Sequence, residues 1–260
     1  KSAFEGCSSL TGVYITNPAK WCGISFESYD ANPLYYAHHL YLNKTLITEL
    51  VIPNGVTSIG AGAFSGCSSL TSITIPDCVT SIDKSAFSGC SSLTSVTIGN
   101  GVTSIGHYAF CDCSSLTSVT LGNSVTSIGT FAFSGCSSLT GVYITDLAKW
   151  CCISFGGDKS IKWLGSDYAN PLYYAHNLYL NGTLITDLVI PDAVTSIGDY
   201  AFYNCNSLTG ITIPDSVTRI GDFAFKGCGS LTSITIPNGV TSIGDCGFSC
   251  CSSLTRITIT

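Results

Sequence analysis

A 23-residue unit recurs along most of this chain, and that fixed period constrains the fold more than any other feature. The unit LTSITIPDCVTSIDKSAFSGCSS, residues 70–92, is followed by copies beginning at Leu93, Leu116 and Leu139. After an interruption the copies resume at Leu208, Leu231 and Leu254. Such self-similarity predicts a solenoid in which each repeat is one coil, and no coil buries its apolar face without neighbours. Within the unit, Ile73 and Ile75 alternate with Ser72 and Thr74, the period of a strand with one buried face. Pro76 closes that strand, having no N–H to donate. Val79-Thr-Ser-Ile82 predicts a second short extended piece. Gly60, Gly106, Gly129, Gly198, Gly221 and Gly244 share the next position, with Asp83 the one substitute, which predicts a left-handed backbone there. The segment from Ala86-Phe87 to Cys90 has room for no more than a turn or two of helix.

Stacking such coils places like residues in columns. One column holds phenylalanine, as at Phe87, Phe110 and Phe133. Another holds cysteine, as at Cys90, Cys113 and Cys136. Strands of neighbouring coils are predicted to be parallel, roughly 4.8 Å apart.

The spacing L-x-x-I-x-I-P-x-x-V-x-x-I-G-x-x-A-F-x-x-C resembles the BspA-like leucine-rich repeat, a class found in surface proteins of oral and gut anaerobic bacteria and of some protozoan parasites. The resemblance implies a leucine-rich-repeat solenoid shaped as a right-handed arc. A parallel β-ladder would line its concave face, with short strands and short helical turns on the other sides. It also implies an extracellular or cell-surface location, and adhesion to host extracellular-matrix proteins or to other cells. Framework residues carry this likeness, so it speaks for fold more than for a ligand.

The array is expected to run as one unit over residues 1–260: the end of a repeat (1–10), a long irregular repeat (11–52), regular repeats (53–140), a second long repeat (141–190) and regular repeats (191–260). The two long repeats are versions of one block, since ANPLYYAH is identical at 31–38 and 169–176. The first lacks most of GGDKSIKWLG, residues 156–165. In each block, Ala148–Phe155 (Ala19–Phe26 in the first) is expected to form a short convex helix carrying Trp150. Asn170-Pro171 should open a capped helical turn. Leu178–Ile185 reads as a β-hairpin around Asn181-Gly182, whereas Asn43-Lys44 fits that turn less well. Lys1 and Thr260 both fall inside repeats, so the chain reads as an internal piece of a longer protein.

Charged residues make up only 10% of the chain and the net charge is −6, which argues against nucleic acid as a partner. No apolar run is long enough to predict membrane insertion in this segment. Of the fifteen cysteines, eight fall in the framework column, where a small buried hydrophobe is wanted. The spacings of a zinc site are missing, so no metal or cofactor is expected. His38 and His176 occupy matching framework places, and no nucleophile–His–Asp arrangement can be argued, so catalysis is not expected.

The outward column of the ladder is the better candidate site. It reads Tyr14, Val51, Thr74, Thr97, Thr120, Tyr143 and then Val189, with tyrosines as possible anchors for a protein ligand. Strand preference alone explains the same residues equally well. The loop with Lys159, Lys162 and Trp163 is a second candidate. Asn43 and Asn181 begin glycosylation sequons that matter only in a eukaryotic source. The function expected is a non-catalytic interaction or adhesion module. The alternatives are a passive spacer, or glycan or ice binding by the Thr/Ser-rich sheet. Exposed terminal coils also make end-to-end self-association plausible.

Overall fold

The computed structural model describes residues 3–156 and 167–260. The chain winds as a β-solenoid of about 10 turns with parallel sheets and few, short helices. On one side the strands Ser72–Ile75, Ser95–Ile98, Ser118–Thr120 and Gly141–Ile144 pair in parallel, with Ser72 opposite Ser95 and Ser118 opposite Gly141. Ile73, Ile75, Val96 and Val119 point into the core and are buried. The strand Ser72–Ile75 stops before Pro76, as expected. A second ladder pairs Ser58–Ile59, Ser81–Ile82, Ser104–Ile105 and Ser127–Ile128 in the same way.

The threonine after each repeat's Leu, and the one after its Val, have a vertical role. Thr94 Oγ1 donates to the Thr71 carbonyl at 2.9 Å, and Thr103 Oγ1 to that of Thr80 at 3.1 Å, each 23 residues earlier. The same carbonyls also accept the backbone N–H of Thr94 and Thr103, at 2.8 Å each. A polar residue persists at these corners because it satisfies the joint between coils.

The third side departs from expectation, being a run of turns with no helix. Ser88 N donates to Ser85 O (3.1 Å) and Cys90 N to Phe87 O (3.3 Å) within the coil. The alternate amides reach the next coil: Ser85 N to His107 O, Phe87 N to Ala109 O and Gly89 N to Cys111 O, at 2.7–2.8 Å. Two left-handed residues per coil, such as Ser85 (φ 55°) and Gly89 (φ 73°), turn those amides out of a helical path. A third hydrogen-bonded ladder results.

The glycine column is corrected too. None of Gly60, Gly106, Gly129, Gly198, Gly221 or Gly244 has a positive φ; that conformation falls two residues later, at positions such as Tyr108 and Phe131. Close approach of the preceding coil is what demands glycine. A Cβ on Gly129 would lie 2.6 Å from His107 N, and one on Gly244 would lie 2.5 Å from Asp222 N. Backbone atoms cannot step aside as a flexible side chain can. Gly129→Ala is therefore expected to destabilise the chain by about 1–3 kcal/mol, the usual cost of overpacking. A chemical-denaturation midpoint checks this, and an unchanged midpoint would mean the coils can move apart freely.

The interior is built from the two predicted columns. Phe64, Phe87, Phe110 and Phe133 stack with ring centroids 5.2–5.4 Å apart and planes within 12°. All fifteen cysteines are free. In the column, Cys113 Sγ donates to the Phe87 carbonyl at 3.3 Å and Cys136 Sγ to the Phe110 carbonyl at 3.2 Å. Burial pushes the Cys136 thiol up to about 12. Cys7 is exposed and Cys251 half-buried, unlike the other column members.

The long repeats solve a different problem. Their helices are Pro18–Cys22 and Leu147–Cys151, shorter than expected. The second ends early because Ser154–Phe155 joins the second ladder beside Ser127–Ile128. Trp150 rides on the helix but is buried, with Nε1 donating to the Ala201 carbonyl at 2.9 Å. Asn170, also buried, accepts Leu172 N as a cap and donates Nδ2 to the Tyr200 and Ala201 carbonyls. Trp21 and Asn32 do the same to Ala63 and Gly62. In regular coils such a carbonyl receives the phenylalanine N–H of the preceding coil, as Ala86 O does from Phe87's counterpart Phe64. Side-chain donors thus stand in for an amide that the irregular block does not present, which gives the exact repetition of ANPLYYAH a structural reason.

Candidate binding face

The hairpins form as read, and they determine what the outward face of the first ladder presents. Leu178–Leu180 pairs antiparallel with Thr183–Leu184 around Asn181 (φ 50°) and Gly182 (φ 79°). The first copy adopts the same turn, forcing Lys44 to φ 70°. The hairpin strand Leu178–Leu180 is also a ladder strand, parallel to Gly141–Ile144 with Tyr143 opposite Tyr179. Tyr179 in turn lies opposite Leu184 on the return strand. The return strand ends that sheet, and Asp187–Val189 begins the next by pairing with Gly210–Thr212.

One registered row therefore crosses the seven-stranded sheet from Val51 through Thr74, Thr97 and Thr120 to Tyr143, Tyr179 and Leu184. The structure brings together the sequence-read residues of this row and adds Tyr179 and Leu184 to them. In the first copy it adds Tyr41, opposite Tyr14, and Leu46, opposite Tyr41. Both leucines are 37% exposed, Val51 is 68% and Val189 63%. Tyr14 is exposed, whereas Tyr143 and Tyr179 are half-buried.

The tyrosines stack in pairs, Tyr14 on Tyr41 and Tyr143 on Tyr179, each with centroids 4.6 Å apart and planes 13° apart. Their rings lie over glycine. A Cβ on Gly141 would sit 3.0 Å from a ring carbon of Tyr143 and 3.1 Å from one of Tyr179, and a Cβ on Gly12 only 2.7 Å from Tyr41. Gly141 stands in the column that holds Ser95 and Ser118 in regular coils. Losing that serine side chain makes room for two rings to lie against the sheet. Strand preference explains a tyrosine on a strand but not a paired tyrosine seated on a glycine.

The remaining sequence-read residues fall elsewhere. Lys159, Lys162 and Trp163 lie outside the described residues. Asn43 and Asn181 are exposed at the hairpin tips. His38 and His176 end short helices in the left-handed conformation, each with Nδ1 3.2 Å from a carbonyl of the following coil, Gly66 O and Asn204 O. That is a framework role. Among the described residues, no group of three or more His, Cys, Asp or Glu side chains is placed to hold a metal ion. No described helix is long and apolar enough to cross a membrane.

Comparison with known proteins fits this architecture. A family model described as the BspA type leucine rich repeat region matches residues 37–161 and 175–260, in 6 copies. The chain belongs to the BspA-type leucine-rich repeat family. Members of this repeat class are interaction modules and generally not enzymes. Among solved structures, this BspA-type array is similar to a leucine-rich repeat protein from Eubacterium ventriosum, at 22% identity and TM-score 0.50, over 96% of this chain and 66% of that one. The chain thus spans just under two thirds of that protein. It is also similar to the T. pallidum leucine rich repeat protein, at 22% identity and TM-score 0.43, over 94% of this chain and 84% of that one. A leucine rich cell surface protein from Faecalibacterium prausnitzii matches at 23% identity and TM-score 0.29, over 82% of this chain and 88% of that one. No curated protein matches the sequence significantly.

Proposed function

We propose that the chain is a non-catalytic adhesion module of a cell-surface or secreted protein, and that it binds a protein partner through the outward row of its first ladder. One observation carries the reading: apolar side chains are held outward at the long repeats, where the paired tyrosines lie on glycine beside Leu184 and Val189. A buried role for Val51 and Val189 is ruled out by their exposure, and exposed apolar residues grouped together mark contact surfaces. Aromatic anchors surrounded by near-neutral polar residues, here the Thr and Ser columns, are the usual composition of a protein-binding hot spot. A surface or secreted location comes from the family resemblance. An ice lattice is disfavoured, because Val51 and Tyr143 bound the run Thr74, Thr97, Thr120.

The test is a binding screen of the intact chain against extracellular-matrix proteins, glycans and the chain itself. Tyr143→Ala is expected to weaken a protein hit by about 2 kcal/mol, roughly 30-fold, as for an aromatic hot spot. Binding that survives the substitution with unchanged affinity would remove the ladder row from consideration. A negative screen with the folded protein would favour a spacer.

A further inference from the structure

The outward residues repeat as a set in chain order, although the sheet breaks between Leu46 and Val51 and between Leu184 and Val189. Its first copy reads Tyr14, Tyr41, Leu46 and Val51, then three threonines at 74, 97 and 120. Its second reads Tyr143, Tyr179, Leu184 and Val189, then threonines at 212, 235 and 258. The same seven outward side chains thus occur twice in the same order. Buried positions must match because each coil packs on the next, but exposed ones such as Leu46, Val51, Leu184 and Val189 carry no such constraint. The blocks have diverged elsewhere on the surface, with Lys44 in the place of Gly182 at the exposed hairpin turn and exposed Asn17 in the place of half-buried Asp146 at the helix cap.

Charge is repeated as well. Glu49 lies two residues before Val51 on the same face, and Asp187 lies two residues before Val189; both are exposed. The regular coils carry serine in that column, at Ser72, Ser95 and Ser118. Each station therefore pairs an apolar step with one carboxylate.

We infer that the two long repeats are two equivalent binding stations, and that the chain engages a partner presenting twice an aliphatic or aromatic side chain next to a lysine or arginine. This rests on the ladder-face reading above and adds to it the number of sites and the chemistry of the partner. A second copy of this chain is a poor occupant, since it brings the same carboxylates to the contact and a net charge of −6. Six paired strand steps of about 4.8 Å put Val51 roughly 29 Å from Leu184, and equivalent points of the two stations lie somewhat farther apart than that along the solenoid. Two weak contacts at that spacing, held by one rigid array, raise overall affinity without any new contact.

The experiment selects binders to the intact chain from a random-peptide phage library and titrates the enriched peptide calorimetrically. The expected peptide carries an apolar residue beside Lys or Arg and binds two per chain. The variants Leu46→Ser with Val51→Ser, and Leu184→Ser with Val189→Ser, alter exposed side chains and should each reduce the stoichiometry to one. Two copies of the peptide joined by about eleven prolines, a stiff spacer at about 3.1 Å per residue, should bind about 100-fold tighter than one copy. Either variant should abolish that gain. A stoichiometry of one that a single station accounts for overturns the paired-site proposal and leaves the ladder-face reading standing. Peptides indifferent to both variants overturn both. Failure to enrich any peptide, with retention on neutral glycans, overturns the proposal in favour of sugar recognition.

Discussion

Raising the pH through 9 is expected to unfold this protein steeply, because its cysteine column is held protonated. Burial raises these thiols: Cys205 is pushed up to about 11 and Cys136 to about 12, and Cys90, Cys113 and Cys228 are raised as well. Cys90, Cys113, Cys136 and Cys228 each donate the S–H to a core carbonyl, as Cys90 does to Phe64 O at 3.2 Å, and Cys205 Sγ shares a hydrogen bond with the Ser207 hydroxyl. In the unfolded chain the same thiols ionise near an ordinary value of about 8.5. Below that pH both states hold the proton and the stabilisation is fully present. Above it the unfolded state releases protons that the folded state keeps, so stability falls as pH rises towards the folded value. Each such thiol removes about 1.4 kcal/mol per pH unit in that window. Several acting together would remove, between about pH 9 and pH 10, an amount comparable with the 5–15 kcal/mol that stabilises a typical domain. Denaturation midpoints followed by circular dichroism under reducing conditions, at about pH 7.5 and about pH 10, measure the slope. Cys113→Ala with Cys136→Ala should make it shallower while lowering stability at neutral pH. A flat profile in the parent protein would show that the thiols are reached by solvent.

The same column also shows what a sequence of this kind makes legible. Ile73, Phe87 and Cys90 recur at fixed intervals because each is a packing position. Their burial and stacking follow from the period alone, as do the two short strands. The glycine column was legible in place but not in cause. A conserved-looking glycine within one chain signals either a left-handed backbone or a close neighbour. The neighbour, His107 N against Gly129, belongs to another coil. Left-handed residues fall instead on Tyr108, Phe131, Tyr200 and Phe223, where propensity argues against them. Their rings stack between coils, Tyr108 on Phe131 at 5.1 Å and Tyr200 on Phe223 at 4.8 Å, which offsets the strain locally.

At the candidate site, Tyr14 and Tyr143 were visible because they sit in the periodic column. Tyr41, Tyr179, Leu46 and Leu184 were not, because each hairpin enters the ladder after an insertion that breaks the period. The Leu-Tyr-Leu alternation at 178–180 marks Tyr179 as outward, but only the pairing with Gly141–Ile144 shows that it meets Tyr143. Asn170 before Pro171 reads as the opening of a capped turn, and its Oδ1 accepts Leu172 N at 2.9 Å from one residue ahead of the helix's N-cap, Pro171. Its second task, satisfying carbonyls of the following coil, depends on which carbonyls the irregular block leaves without an amide. No local pattern encodes that.

The other large effect is expected from Phe110→Ala, which should destabilise the chain by about 3–5 kcal/mol. Phe110 is fully buried and stacked on both faces, 5.3 Å from Phe87 and 5.4 Å from Phe133. Truncation removes two ring–ring contacts and opens a void between coils that three ladders hold at fixed separation, so collapse to fill it is restricted. In a solenoid each coil contacts only its neighbours, so the loss falls on one interface of the array. Phe248 offers the contrast within the same column: it is half-buried and, among the described residues, stacks on Phe225 on one face. Phe248→Ala should therefore cost distinctly less than Phe110→Ala in the same denaturation experiment. Equal costs would mean that the column contributes only the transfer of each side chain from water. A silent Phe110→Ala would mean that the stacked rings do not hold the coils together, and the cohesion would then have to reside in the backbone ladders and their threonine and cysteine donors.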